Sequence, residues 1–214
     1  MKLFKVLTFI SIALPIFASV INFSVEPTRA FKDSYLYIKD RKTQWTIAGE
    51  YGWTLNEHFV FGPNIGFSWC LQKEKTTDYA PNTELVSSKE RVIMLPISLF
   101  FIFDPIPQFM IHPIIHAQVG YNSVFISNVY YNSVGEDQDT VEKNRKTAQE
   151  WDGYYNGIIS KFGLECMIDL GKSISIFAGP QWQISVVERR KKDSKPFERK
   201  FHGFGIRMGV SVLL

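Results

Sequence analysis

The residues with chemistry to offer fall into three groups. The first is a sparse set of charges inside otherwise small and polar sequence: Glu26, Glu50, Lys161, Glu165 and Arg207. Charges withdrawn from water need partners and hydrogen bonds, or they destabilise by several kcal/mol. These five therefore read as one mutually paired polar network that plugs an interior. The competing reading is the lining of a gated ion path. The second group is His58, His112, His116 and His202. His112 and His116 share parity, but in extended chain four residues span ~13 Å. That is too far for one tetrahedral ion, so hydrogen bonding is expected, with no metal and no cofactor. The third group is the run "ERRKKDSKPFERK", in which Arg189, Arg190, Lys191, Lys192 and Lys195 are candidate contacts for a polyanion. Arginine and lysine recognise phosphate and carboxylate groups; a merely solvated loop is the plain alternative. Nucleophilic catalysis needs a nucleophile and a base within hydrogen-bond reach. No dyad or triad has that spacing, and no serine pattern surrounds His202, so an enzyme is not expected.

These residues are placed by segments of strict alternation. In "HFVFGPNIGFSWCLQ", Phe59, Phe61, Pro63, Ile65, Phe67, Trp69 and Leu71 alternate with Val60, Gly62, Asn64, Gly66, Ser68 and Cys70. Similar runs begin near Gln44, Phe109, Ser173 and His202, and weaker ones cover 20–31, 90–103 and 152–169. Period two over such lengths means strands with distinct faces, and the tally is eight. The connections alternate as well. Short ones lie near Leu55–Glu57, at Asp104–Pro107 and at Asp169–Lys172, and long polar ones cover 32–42, 72–89, 129–150 and 190–198. An up-and-down barrel whose ends face different environments has this asymmetry.

The two faces settle which side meets what. The polar face is Gly, Ser, Asn, Gln, Ala and Thr, which fit the narrow interior of eight strands. The apolar face is bulky and nearly free of charge over the ~9–11 residues of a tilted crossing, so it is assigned to lipid. Trp53, Trp69, Tyr51, Tyr121, Trp151, Tyr154 and Trp182 are expected toward strand ends as interface girdles. Pro63, Pro96, Pro113 and Pro180 fall inside strands, which predicts local bulges or bends. "FGPNIGFS" and "AGPQWQIS" echo one another, which suggests shared geometry. Cys70 and Cys166 fall on opposite faces near opposite ends, which predicts free thiols. Residues 1–18 carry Lys2 and Lys5, an apolar run and then Ala18, the order of a secretory signal, with the barrel over 19–214. A formal net charge of +3 is too weak a bias for nucleic acid.

These features, with the C-terminal "RMGVSVLL", resemble small eight-stranded outer-membrane barrels of the OmpA/OmpX type. The resemblance implies an all-β, eight-stranded antiparallel up-and-down transmembrane β-barrel, monomeric, in the cell outer membrane of a Gram-negative bacterium. Membrane lipids and lipopolysaccharide would surround it. Assembly machinery in that class reads the last strand as polar-x-Gly-x-x-apolar-x-aromatic, a spacing that Arg207, Gly209, Val212 and Leu214 match with Leu in the aromatic place. No peptidoglycan-binding domain follows, so no cell-wall tether is implied. The expected role is structural, or surface contact through the loops. The alternatives are a lipid-modifying enzyme using His202 and a narrow channel.

Overall fold

The computed structural model describes residues 19–34, 43–70, 75–77, 86–131, 139, 153–189 and 197–214. They form one antiparallel sheet of ten segments: β1 (Ser19–Ala30), β2 (Thr43–Asn56), β3 (Phe59–Cys70), β4 (Lys75–Thr77), β5 (Val86–Phe103), β6 (Ile111–Tyr131), β7 (Gly153–Asp169), β8 (Ile174–Arg189), β9 (Phe197–Lys200) and β10 (Gly203–Leu213). Both β3 and β4 lie on β5, and both β9 and β10 lie on β8, so the ten segments make eight staves. β10 returns to β1 and closes the ring.

The register fixes the shape. Pairing can be followed from Ser19 through Trp53, Phe61, Phe101, Ala117, Phe162, Trp182 and Phe204 back to β1 at Arg29, ten residues beyond the start. Such a stagger requires strands tilted to the barrel axis, typically by ~35–45°. It also reveals six aromatic side chains on one outward spiral, with ring centroids 5.6 Å apart for Trp53 and Phe61 and 5.0 Å apart for Trp182 and Phe204. Of the aromatics expected as girdles, Trp53, Trp69 and Tyr154 lie toward strand ends, Trp182 and Tyr121 sit in the middle of their strands, and Trp151 lies outside the described residues.

Side chains on the predicted apolar face point out of the barrel. Phe23 is 63% exposed and Ile65 64%, and they belong to a belt with Ile47, Ile97, Val119, Ile158, Ile184 and Met208. A closed ring satisfies every backbone group internally, which is what a lipid-facing sheet requires. The prolines do not produce bulges. Pairing is interrupted opposite Pro27, Pro63, Pro96 and Pro180, yet the register on either side of each gap is unchanged. Pro113 sits in an unbroken ladder with β7, opposite Cys166. Among the described residues a register shift within a strand pair falls between Thr54 and Asn56, at the β2–β3 turn. A proline removes a single donor toward a single neighbour, and a closed ring holds the strand in place from both sides. The two Gly-Pro echoes do share geometry: a Cβ on Gly62 would lie 1.9 Å from the carbonyl oxygen of Tyr51, and one on Gly179 2.1 Å from that of Leu164.

Several boundaries move. The β5–β6 connection is Asp104–Met110, longer than the four residues predicted. Strand extends into the predicted connections 72–89, 129–150 and 190–198 as β4, the start of β5, the end of β6 and β9, whereas the β1–β2 connection keeps its predicted length to within one residue. Neither Cys70, half-buried, nor Cys166, exposed, is in a disulfide among the described residues.

Candidate functional site

The predicted interior charges do converge. Glu26 on β1, Glu50 on β2, Lys161 and Glu165 on β7 and Arg207 on β10 are all buried. Arg207 is the hub. Its Nη2 donates to Glu50 Oε2 at 2.8 Å and its Nη1 to Glu165 Oε2 at 2.7 Å, while Nε lies 3.6 Å from Glu26 Oε1. Lys161 Nζ donates to Glu26 Oε2, and Ser24 Oγ donates to Glu26 Oε1 at 3.2 Å. The guanidinium also rests over the Phe177 ring, 4.3 Å from its centroid. Glu26 and Arg207 are adjacent because β1 and β10 are the strands that close the barrel.

Glu50 accepts more than Arg207 offers. Asn22 and Asn64, its register partners on β1 and β3, donate to it at 2.8 and 3.1 Å, and Gln118 donates at 2.8 Å. His116 Nε2 is 3.0 Å from the same carboxylate, and Nδ1 faces Glu165 Oε1 at 3.7 Å. The His116 ring stacks on Phe100, centroids 6.1 Å apart. Sequence reasoning gave His116 a general hydrogen-bonding role and left it out of the charge network. Strand parity alone would have placed it on the inward face beside Gln118.

The interior is layered along the axis. Nearer the short turns, Phe100, Ile102 and Ile114 pack with Val60 and Met167. On the other side of the charges lies a layer of neutral polar pairs. Thr46 and Ser68 hydroxyls meet at 2.8 Å, the Gln44 and Gln183 amides exchange hydrogen bonds at 3.3 and 3.2 Å, and Asn122 Nδ2 donates to Ser185 Oγ at 3.0 Å. At the end bearing the long connections the inward face turns apolar: Ala30, Val92, Met94, Val124, Ile126, Tyr155, Val187 and Phe201 form one buried cluster, with Cys70 against it. This corrects the expectation of a uniformly small, polar interior. Around that end the outward face carries Arg29, Arg91, Asn156, Glu198 and Lys200 instead of aliphatic residues. Apolar inside and polar outside is the pattern of a sheet in water, so the strands continue past the lipid belt.

At the short-turn end a second cluster was missed in sequence because its carboxylates lie in or beside turns. His112 Nδ1 sits 2.6 Å from Asp104 Oδ2 and its Nε2 3.6 Å from Asp169 Oδ2. Ser175 Oγ donates to Asp169 Oδ1 at 2.6 Å, and His58 Nδ1 contacts the Asp104 carbonyl at 2.7 Å. The cluster thereby ties all three short connections together. Burial pushes the Asp104 carboxyl above its ordinary value, against the opposing effect of His112.

Of the predicted polyanion contacts, Arg189 is half-buried at the tip of β8. Its Cζ lies 3.0 Å from where a Cβ on Gly153 would stand, and Gly153 itself has φ 135, a left-handed value that favours glycine. Arg190, Lys191, Lys192 and Lys195 lie outside the described residues. His202 is half-buried at the break between β9 and β10, where its carbonyl accepts from Phe31 N at 3.0 Å. No nucleophile or acid pairs with its ring in the hydrogen bonds of the described residues.

A closed ring of eight antiparallel staves, wrapped in an aliphatic and aromatic belt around a polar centre, defines the eight-stranded outer-membrane β-barrel. No family model matches the chain, and no curated protein is significantly similar to it. Solved structures are similar in fold. The crystal structure of Neisserial surface protein A aligns with TM-score 0.53 at 12% identity, over 92% of this chain and 97% of that one. The N-terminal barrel domain of Pseudomonas aeruginosa OprF aligns with TM-score 0.45 at 10% identity, over 91% and 97%. At such identities the likeness is one of fold.

Proposed function

We propose that this is a non-conducting, non-catalytic outer-membrane barrel that acts through its outer end, where a cationic rim binds polyanions. The observation that carries the reading is the filling of the interior. Apolar layers built on Phe100 and on Phe201 flank the charge network on either side, so an ion entering from either end meets close-packed hydrocarbon. That leaves the surface for function. Arg29, Lys32, Arg91 and Lys200 are exposed at the outer end, with Asp33 and Glu198 the exposed carboxylates among them. The predicted loop adds Arg190, Lys191, Lys192 and Lys195 beside Arg189. Lipopolysaccharide phosphates in the same leaflet are the nearest polyanion for such a rim. In this reading residues 1–18 direct export, the assembly machinery recognises the last strand through Arg207, Gly209, Val212 and Leu214, and the barrel works as a monomer.

The test is binding to lipopolysaccharide vesicles and to immobilised heparin across a salt series. Changing Arg190, Lys191, Lys192 and Lys195 to Ser together should weaken binding and flatten its salt dependence; unchanged binding ends the polyanion reading. Planar-bilayer recording should show no steady conductance, and a reproducible open level would replace this reading with the channel.

A further inference from the structure

We propose that the buried network binds one proton beyond its own permanent charges, held between the His116 ring and the carboxylates of Glu50 and Glu165. This goes beyond the polyanion reading and does not depend on it. Glu26, Glu50 and Glu165 bring three carboxylates to the centre of the barrel, and Lys161 and Arg207 bring two cations. The Glu26, Glu50, Glu165 and Arg207 side chains are each no more than 1% exposed. A cluster this far from water with an unbalanced charge is costly. The remaining titratable group is placed to correct it. His116 is fully buried, and its two ring nitrogens face two different carboxylates, Glu50 at 3.0 Å and Glu165 at 3.7 Å. On the second side the 3.7 Å separation is too long for a hydrogen bond, and Nδ1 and Glu165 Oε1 are both buried without a hydrogen-bond partner among the described residues, an acceptor facing an unsatisfied ring nitrogen.

The surroundings add no competing charge. At this level β1 presents Glu26, β2 Glu50, β7 Lys161 and Glu165, and β10 Arg207, while β6 adds the neutral Gln118, whose Nε2 donates to Glu50 and lies 3.3 Å from His116 Nε2. The neighbours from β3, β5 and β8 are Asn64, Phe100 and Phe177, all neutral. Phe100 packs beside the imidazole, ring centroids 6.1 Å apart and planes 26° from parallel, and brings no charge to it. Whether the proton rests on the imidazole or on a carboxylate, the network then holds three positive and three negative groups, or two of each. The proton becomes a structural ligand.

Two measurements test this with the full chain in lipid nanodiscs. Nitrogen NMR of ring-labelled histidine, with His116 assigned by its absence in His116→Gln, reads the imidazole; carboxyl-carbon NMR reads the three glutamates at neutral pH. A doubly protonated ring, or a neutral ring with one protonated carboxyl, supports the proposal. A neutral ring with all three glutamates ionised overturns it. The second readout is charge compensation. His116→Gln should shift the unfolding equilibrium toward the unfolded chain, and adding Glu165→Gln should recover about tenfold or more of that shift. If Glu165→Gln instead makes His116→Gln worse, the acids were never short of a positive charge and the proposal falls. Should His116→Gln fail to assemble, His116 is assigned by elimination from single substitutions of His58, His112 and His202, and the wild-type resonances then decide.

Discussion

Replacing Arg207 with Met is the sharpest perturbation this barrel offers. The substitution keeps an unbranched apolar stem but ends short of the guanidinium, so it removes the charge, its hydrogen bonds and the contact over Phe177 together. What it strips away can be worked out from distance. Two charge-assisted hydrogen bonds go, at 2.8 Å to Glu50 and 2.7 Å to Glu165, and a third attraction at 3.6 Å to Glu26. Each such bond contributes about 1.5–3 kcal/mol, and removing one partner of a buried ion pair costs about 3–5 kcal/mol because the other is stranded. The two routes agree on a loss of about 3–5 kcal/mol, or between about two and four powers of ten in the unfolding constant. The assay is urea titration of the barrel in lipid vesicles, read by the gel mobility that separates folded from unfolded chain. A loss below about 1 kcal/mol would mean that water reaches these carboxylates and that the interior is far wetter than its packing implies. A further check is compensation: combining Arg207→Met with Glu50→Gln and Glu165→Gln should return much of the loss, since replacing a whole buried ionic cluster is far less damaging than halving it.

Other substitutions probe the remaining layers. Ile65→Arg, in the belt, should destabilise the inserted barrel by about 2–4 kcal/mol in the same titration, whereas Arg91→Ile at the outer end should change little; equal effects would erase the distinction between belt and rim. Phe201→Ala empties the centre of the outer apolar cluster and should cost about 3–5 kcal/mol, a value near zero showing that this end is not a packed core. Gly179→Ala puts a methyl group 2.1 Å from the Leu164 carbonyl oxygen and should cost about 1–3 kcal/mol, visible as a slower gain of the folded band. Asp104 holds its proton more tightly in the fold than in the unfolded chain, so its contribution is present in acid and lost as pH climbs through its raised value. Asp104→Asn should remove that decline from the pH profile of the urea midpoint, and an unaltered profile would show that Asp104 titrates normally.

Much of this architecture was legible because alternation is a strong signal. Parity alone put Glu26, Glu50, Lys161, Glu165 and Arg207 on one side of the sheet, and the topology of closure brought Glu26 to Arg207. What parity does not carry is the identity of the medium on each side, nor the height at which it changes. Val124 and Ile126 have the same parity as Gln118 and Asn122 on one strand of twenty-one residues, so they were bound to share a face. Only three-dimensional register shows that the first pair clusters with Tyr155 and Phe201 above the lipid belt, while Gln118 donates to Glu50 and Asn122 to Ser185 within it. The prolines teach the same lesson in another form. A lost donor matters locally, but a strand held between two neighbours in a ring cannot slip, so Pro63 and Pro180 open gaps in the ladder and leave the register intact. The cluster of Asp104, His112 and Asp169 was beyond sequence reasoning for a related reason. Asp104 lies in the β5–β6 connection, His112 opens β6 and Asp169 closes β7, and the register of β6 on β7 sets them side by side. Closure is thus the physical step that turns a set of two-faced ribbons into specific chemistry.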